Sequence, residues 1–138
     1  MIKVTCGIII VDSKILAVQH GPNSSLPMKW EFPGGKMKRD ETAEQCIIRE
    51  LQEELLIYIE PKSKLNSVEF EYPGRQIELI PFVCSIISGE LTLTEHIAEK
   101  WFYLDEWQSF DWAEADRKLI MENYEQLTQI TRCFYRTK

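Results

Sequence analysis

An α+β fold, or mixed α/β/α layers, is predicted by three features of the 138-residue sequence. Strand-like alternation opens the chain, a helical period takes over at Thr42, and strands and then a helix follow once more. No internal repeat, low-complexity tract or interdomain linker interrupts this order, so residues 1–138 are expected to form one domain.

The elements follow in order. "VTCGIIIVDSKILAVQH" reads as a hairpin, with two β-rich runs around a polar turn at Asp12–Lys14. A loop with two prolines, "GPNSSLPMKW", leads into "EFPGGK", a strand end broken by Pro33-Gly34-Gly35. Thr42 and Gln45 have the spacing of a capping box at the start of a helix. In "VEFEYPGRQIELIPFVCSII", Val68, Phe70 and Tyr72 alternate, then Ile77 and Leu79, and Pro73-Gly74 suits the centre of a type II turn. "GELTLTEHIAEKWFYL" predicts another short strand, a loop, and a strand ending at Leu104. A second helix is expected after "DEWQSFDWAEAD", with Leu119, Ile120, Leu127 and Ile130 on one side.

Apolar residues make up 44% of the chain, enough for a globular core. No apolar run approaches the roughly 20 residues of a membrane span. The start lacks a signal-peptide cleavage pattern, and the protein is expected to be cytoplasmic and mature as written. Cys6, Cys46, Cys84 and Cys133 lie far apart, without zinc-ligand spacing, and are expected to be reduced and mostly buried. His20 and His96 are also distant in sequence, which argues against a zinc site. Net charge is −6. An acidic chain is a poor host for a long nucleic acid. A small polyphosphate bridged by divalent cations is compatible with it.

The acidity is concentrated in the first helix. Glu50, Glu53 and Glu54 fall within roughly a 100° arc, beside an apolar arc of Ile47, Ile48, Leu51 and Leu55. The carboxylates therefore sit at the edge of a packed face, with Arg49 as the nearby base. Partly buried like charges raise one another's pKa unless a cation compensates. Mg²⁺, or Mn²⁺, is the natural cation, since hard ions take carboxylate oxygens and keep waters for substrate phosphates. Gly34-Gly35 lets the backbone approach closely, so a carbonyl can join the ligands. From glutamate spacing alone, an ordinary acidic amphipathic helix explains the segment better.

The surrounding pattern reverses that preference. Five residues separate Gly35 from Glu41, seven separate Glu41 from Arg49-Glu50, and Leu51, Glu53-Glu54 and Ile57 follow. The segment resembles the Nudix box, Gly-x5-Glu-x7-Arg-Glu-U-x-Glu-Glu-x-Gly-U with U apolar. One position departs: Leu56 stands where the box has glycine. Glycine there ends the helix in the left-handed conformation, which would cost leucine about 1–2 kcal/mol. A different exit, with one more helical turn, is expected. "WEFPGGK", "EYPGRQIEL", "TEH" and "WAEADRKLI" are similar to the MutT branch of the family, over at least Val4 to Leu127.

The resemblance implies an α/β/α sandwich around a mixed sheet and hydrolysis of nucleoside triphosphates to monophosphate and pyrophosphate. It implies metal ligation by Glu50, Glu53, Glu54 and the Gly34 carbonyl, with Arg49, tied to Glu41, orienting the glutamates. A plain stabilising ion pair accounts for Arg49 and Glu41 equally well. Glu95, six residues before Trp101, corresponds to a further catalytic glutamate that contacts metal or activates water. Glu53 is the other candidate base, and the sequence does not separate them. Arg75, Tyr72, Lys36, His20 and Asp116 correspond to substrate contacts. His20 occupies a place where relatives often carry arginine, and Tyr72 fits a strand or core role equally well. Cys46 and Trp30 read as packing residues.

Asp116 reads locally as a helix N-cap. By resemblance its position reads the base, with asparagine in the oxidised-guanine enzyme and aspartate in CTP-preferring relatives. An ionised aspartate only accepts hydrogen bonds, which leans slightly toward the cytosine 4-amino group over oxidised guanine. The expected substrate is thus a small nucleoside triphosphate of CTP/dCTP or 8-oxo-dGTP type, acted on by a monomer or homodimer. Other Nudix substrates, such as ADP-ribose or a dinucleotide polyphosphate, are the first alternative. A non-catalytic nucleotide-binding module is the second, although such modules usually lose box glutamates that this chain keeps.

Overall fold

The computed structural model describes residues 1–136, with side chains through Arg132. The side chain of Cys133 lies outside the described residues. Strand β1 (Ile2–Val11) is the spine of the sheet. It pairs in parallel with β7 (Arg75–Gly89), from Ile2 opposite Ile77 to Ile9 opposite Cys84. Its other partners, β2 (Lys14–Gln19) and β4 (Gly34–Lys36), run antiparallel. Strands β3 (Trp30–Glu31) and β8 (Ala98–Phe102) pair with β2, while β5 (Ile57–Lys64) and β6 (Val68–Tyr72) pair with β7.

The side-chain period of two divides the core between the two faces of this mixed sheet. Ile8, Ile10, Ile15, Ala17 and Val83 face one layer with Trp112, Leu119, Ile120 and Leu127. Ile9, Leu16, Val18, Phe82 and Cys84 face the other, with Ile47, Leu51 and Leu55 of helix α1 (Ala43–Leu55). Burial on both faces explains why the alternation at the start of β1 gives way to the apolar run Ile8-Ile9-Ile10. Helices α2 (Glu114–Glu122) and α3 (Tyr124–Arg136) cover the face opposite α1, completing an α/β/α sandwich. No helix of the described residues is long and apolar enough to cross a membrane. Cys6, Cys46 and Cys84 are free and buried.

Four sequence expectations need correction. Residues after Gly89 form a loop, not a further strand, and β8 ends at Phe102; Leu104 already opens a 3₁₀ turn. The expected single C-terminal helix is two helices. Asn123, fully buried, breaks it by turning its side chain onto the backbone of Asn66, donating to the Asn66 carbonyl at 3.0 Å and accepting from its N–H at 2.9 Å. Ile48 is 37% exposed and leaves the apolar face of α1, whereas Cys46 joins it.

The fourth correction is at Leu56. Helix α1 gains no extra turn: Leu56 adopts φ 56°, ψ 34°, the left-handed geometry of the glycine it replaces. Its N–H caps the Gln52 carbonyl at 3.1 Å. Its side chain is 47% exposed, so no packing demand forces a different exit. The strain is local and should be measurable. Leu56→Gly is expected to exceed Leu56→Ala in unfolding free energy by about 1 kcal/mol, the reverse of the order in a helix interior. Greater stability of the alanine variant in denaturant titration would contradict a left-handed residue here.

Candidate active site

Helix α1 is fixed at its start by the expected capping box. The Gln45 N–H donates to Thr42 Oγ1 at 3.1 Å, and the Thr42 N–H donates to Gln45 Oε1 at 2.9 Å. The register that buries Ile47, Leu51 and Leu55 sends Arg49, Glu50, Glu53 and Glu54 toward β4 and the loop before β8.

Arg49 is the hub of the cluster. Its Nε and Nη2 make a two-pronged contact with Glu41, at 2.6 and 3.0 Å. Nη1 donates to Glu53 at 2.9 Å and approaches Glu50 at 3.5 Å, and Nη2 also reaches the Lys36 carbonyl at 3.1 Å. The Arg49 guanidinium holds the Glu41 carboxyl down to about 2, and its own pKa rises in return. Charge-assisted forked pairs of this kind orient as well as bind.

The three box glutamates are not equivalent. Glu53 is 53% exposed and drawn to Arg49. Glu50 is half-buried, and its carboxylate lies over Gly35, filling the space a Cβ would take. Burial raises its pKa; Arg49 opposes this, and Glu53 and Glu95 add to the rise. Glu54 is buried at 8% exposure, with Oε1 lacking any hydrogen-bond partner. Burial, then the charges of Glu31, Glu50 and Glu95, push it up to about 9. An orphaned carboxylate oxygen inside an acidic cluster suits a hard cation, so the residues fit the expected metal. In this arrangement no three His, Cys, Asp or Glu side chains of the described residues converge on one point that would hold an ion. Arg49 accounts for part of this, since it holds Glu53 to the side.

A cavity of about 360 Å³ opens beside Glu54. Its wall includes every substrate contact expected from the sequence: Asp116, Arg75, Tyr72, His20 and Lys36. Gly34 and Glu95 line it too, whereas Arg49, Glu50 and Glu53 stand outside the wall. Gly34 is required by contact, because a Cβ there would run into the backbone of Thr5 and Cys6. Arg75 lies over the Tyr72 ring, 5.3 Å from its centroid, and its Nε is buried without a partner. The Tyr72 hydroxyl accepts from the Ala115 N–H at 2.9 Å, which satisfies a free amide in the first turn of α2. Tyr72 therefore has a structural role in addition to its place in the wall.

Asp116 is not the N-cap. Ala113 holds that position, and Asp116 turns inward from the first turn, accepting from the Phe32 N–H at 2.9 Å. Burial first, and the Glu31 charge second, hold its carboxyl well above the usual range. That direction favours the neutral acid, with one donor and one acceptor, over the ionised acceptor expected from the sequence.

Glu31 and His96 are among the wall residues not expected from sequence. His20 Nε2 meets one Glu31 oxygen at 2.8 Å and His96 Nε2 meets the other at 2.9 Å. Their rings lie 5.7 Å apart despite their separation in sequence. Burial works to raise the Glu31 pKa, yet the two imidazoles outweigh it and the carboxyl ends below its ordinary value. Glu31 raises the His20 pKa in turn, against burial. His20 is also tied through Nδ1 to the Ser24 hydroxyl at 2.9 Å. The WEFPGGK stretch held the signal for Glu31, but its partners are visible only once β2, β3 and the loop before β8 meet.

Glu54 makes stability depend on pH. With Glu54 pushed up to about 9 in the fold, against an ordinary value of 4.5, the chelator-treated native state is expected to hold a proton there across neutral pH. The native state then binds the extra proton, so unfolding free energy should fall as pH rises from 5 to 9. Glu54→Gln should flatten that slope in thermal unfolding; an unchanged slope would remove the assignment.

The NUDIX domain family model matches residues 1–123. CTP pyrophosphohydrolase of Escherichia coli (strain K12) is 37% identical over 120 residues, 87% of this chain and 89% of that protein. The 8-oxo-dGTP diphosphatase of the same organism is 31% identical over 109 residues, 79% and 84% of the two chains. Among solved structures, the solution structure of the E. coli ORF135 protein superposes with a TM-score of 0.79 at 35% identity, covering 93% of this chain and 91% of its own. The MutT protein from Methanosarcina mazei Go1 gives 0.80 at 25% identity, covering 91% and 93%. A match that runs from Met1 to Asn123 and stops only at the start of α3 makes this chain a member of the NUDIX domain family, a hydrolase of the MutT type.

Proposed function

We propose that the chain is a Mg²⁺-dependent nucleoside triphosphate pyrophosphohydrolase that converts CTP/dCTP or 8-oxo-dGTP type nucleotides to the monophosphate and pyrophosphate. The observation that carries this reading is that one cavity wall holds both Asp116, Tyr72 and Arg75 and Gly34, Glu54 and Glu95. The first set offers the hydrogen-bonding and stacking groups a base needs, and the second offers carboxylates for a cation that accompanies phosphates. Similarity to relatives named for CTP and for 8-oxo-dGTP supports the same class.

Glu50, Glu53, Glu54, Glu95 and the Gly34 carbonyl would hold the metal, Mg²⁺ or Mn²⁺. When bound, a divalent cation supplies neutralisation of the polyphosphate and Lewis acidity toward the attacking water. Arg49 keeps Glu50 and Glu53 oriented from behind. Lys36 and Arg75 lend positive charge to the wall. Glu95 and Glu53 remain the two candidate proton acceptors, and of these Glu95 is the one that lines the cavity. Positioning and electrostatics supply most of the acceleration in phosphoryl chemistry of this kind.

Pyrophosphate release from a panel of canonical and oxidised (d)NTPs with Mg²⁺ tests the proposal. Turnover of cytosine or 8-oxoguanine nucleotides is expected, with Glu53→Gln at least about 10²-fold slower in a folded protein. Activity confined to ADP-ribose or dinucleotide polyphosphates would overturn the substrate class, and full activity in the variant would overturn the role of α1.

A neutral Asp116 presents the same donor and acceptor pair as asparagine. Asp116→Asn is therefore expected to keep its base preference within about threefold, while Asp116→Ala loses roughly tenfold or more in kcat/KM. A tenfold change of preference between cytosine and 8-oxoguanine in the asparagine variant would show that the ionised form reads the base.

A further inference from the structure

Helix α1 ends on carbonyls that no turn of its own can satisfy. Its last turn holds no basic residue. The Leu56 N–H takes the Gln52 carbonyl. The other three are met from outside, by the loop before β8. Thr94 Oγ1 donates toward the Glu53 carbonyl at 3.0 Å and the Glu54 carbonyl at 2.9 Å. The Thr94 N–H reaches the Glu54 carbonyl at 3.1 Å, and the Thr92 N–H reaches that of Leu55 at 2.9 Å.

The same loop is anchored again just beyond. His96 Nε2 rests on Glu31 at 2.9 Å, and the Ile97 N–H donates to the Gln19 carbonyl at 3.0 Å. Glu95 lies between the two anchors, lining the cavity with Glu54. Its carboxylate has no hydrogen bond or ion pair among the described residues, and it faces the like charges of Glu50 and Glu54. Left to those charges alone, it would swing outward. Its place is therefore set by the backbone on either side.

We propose that Thr94 is a positioning residue for the reaction: by capping α1 from outside, its hydroxyl fixes Glu95 against the carboxylates of that helix. The residues whose carbonyls it caps, Glu53 and Glu54, are themselves members of the acidic cluster. One hydroxyl thus ties the two chain segments that must share a cation and a phosphate. The proposal rests on the catalytic reading of Glu95 given above.

Thr94→Val keeps the branched shape and removes the hydroxyl; Thr94→Ser keeps the hydroxyl. Thr94 is exposed, so both variants are expected to fold, and Thr94→Ala serves if the valine form does not. The expected result for Thr94→Val is a kcat at least roughly tenfold lower with KM within about threefold, and near-normal values for Thr94→Ser. In a Glu95→Gln background the valine substitution should add less than about twofold. Independently of activity, amide hydrogen exchange over residues 92–97 should quicken at least about tenfold in Thr94→Val and not in Thr94→Ser. Equal losses in both backgrounds, or unchanged exchange, would overturn the positioning role. Wild-type turnover in Glu95→Gln would remove the catalytic reading of Glu95 and this proposal with it. An impaired Glu95→Gln beside a fully active Thr94→Val would overturn the proposal alone.

Discussion

The shortage of positive charge around α1 governs the rest of the site. Glu31, Glu41, Glu50, Glu53, Glu54 and Glu95 crowd one region whose central cation is the Arg49 guanidinium. Arg49 serves Glu41 fully, Glu53 by a side contact and Glu50 at 3.5 Å. It does not reach Glu54. Glu31 is served separately, by His20 and His96. Glu41 and Glu31, each with a close partner, are held toward the ionised form, while Glu54 and Asp116 are held toward the neutral acid. The chain so carries a buried deficit that a divalent cation would relieve.

The fold makes that deficit tolerable by holding its members rigidly. Gly35 leaves space for the Glu50 carboxylate, and Gly34 presses against β1, so β4 and α1 meet closely. The capping box fixes one end of α1 and the loop through Thr92 and Thr94 fixes the other. The part of the cavity wall around Asp116 comes from the opposite layer, where α2 brings in Asp116 and Tyr72 anchors the first turn. Such a cavity, lined from β4, α1 and α2, would in the proposed function join recognition of a base to chemistry on a polyphosphate.

Much of this was legible in the chain because its signals are local. Thr42 and Gln45 specify a helix start within four residues, and the glutamate arc follows from a 3.6 period. The hairpin at Asp12-Ser13 and the turn at Pro73-Gly74 follow from residues that accept positive φ. What escaped depended on contacts between distant segments. The His20–Glu31–His96 contact needs three separate elements to meet. Asn123 breaks a helix by bonding to Asn66, which no helical period reports. Asp116 reads locally as a cap, and by resemblance as an ionised acceptor, because burial does not show in the sequence. Leu56 was judged by propensity, whereas an exposed side chain and the Thr92–Thr94 cap let the helix end in the geometry a glycine would take.

The cluster favours a proton at Glu54, which a bound divalent cation would displace. Calorimetric titration of the chelator-treated protein with Mg²⁺ or Mn²⁺ at pH 7, in two buffers of different ionisation enthalpy, measures this directly. Metal ligands must be deprotonated, so a buffer-dependent heat equivalent to about one proton released per bound ion is predicted, and Glu54→Gln should abolish it. Binding with the same heat in both buffers would contradict the account, because Glu54 would then be ionised before the metal arrives.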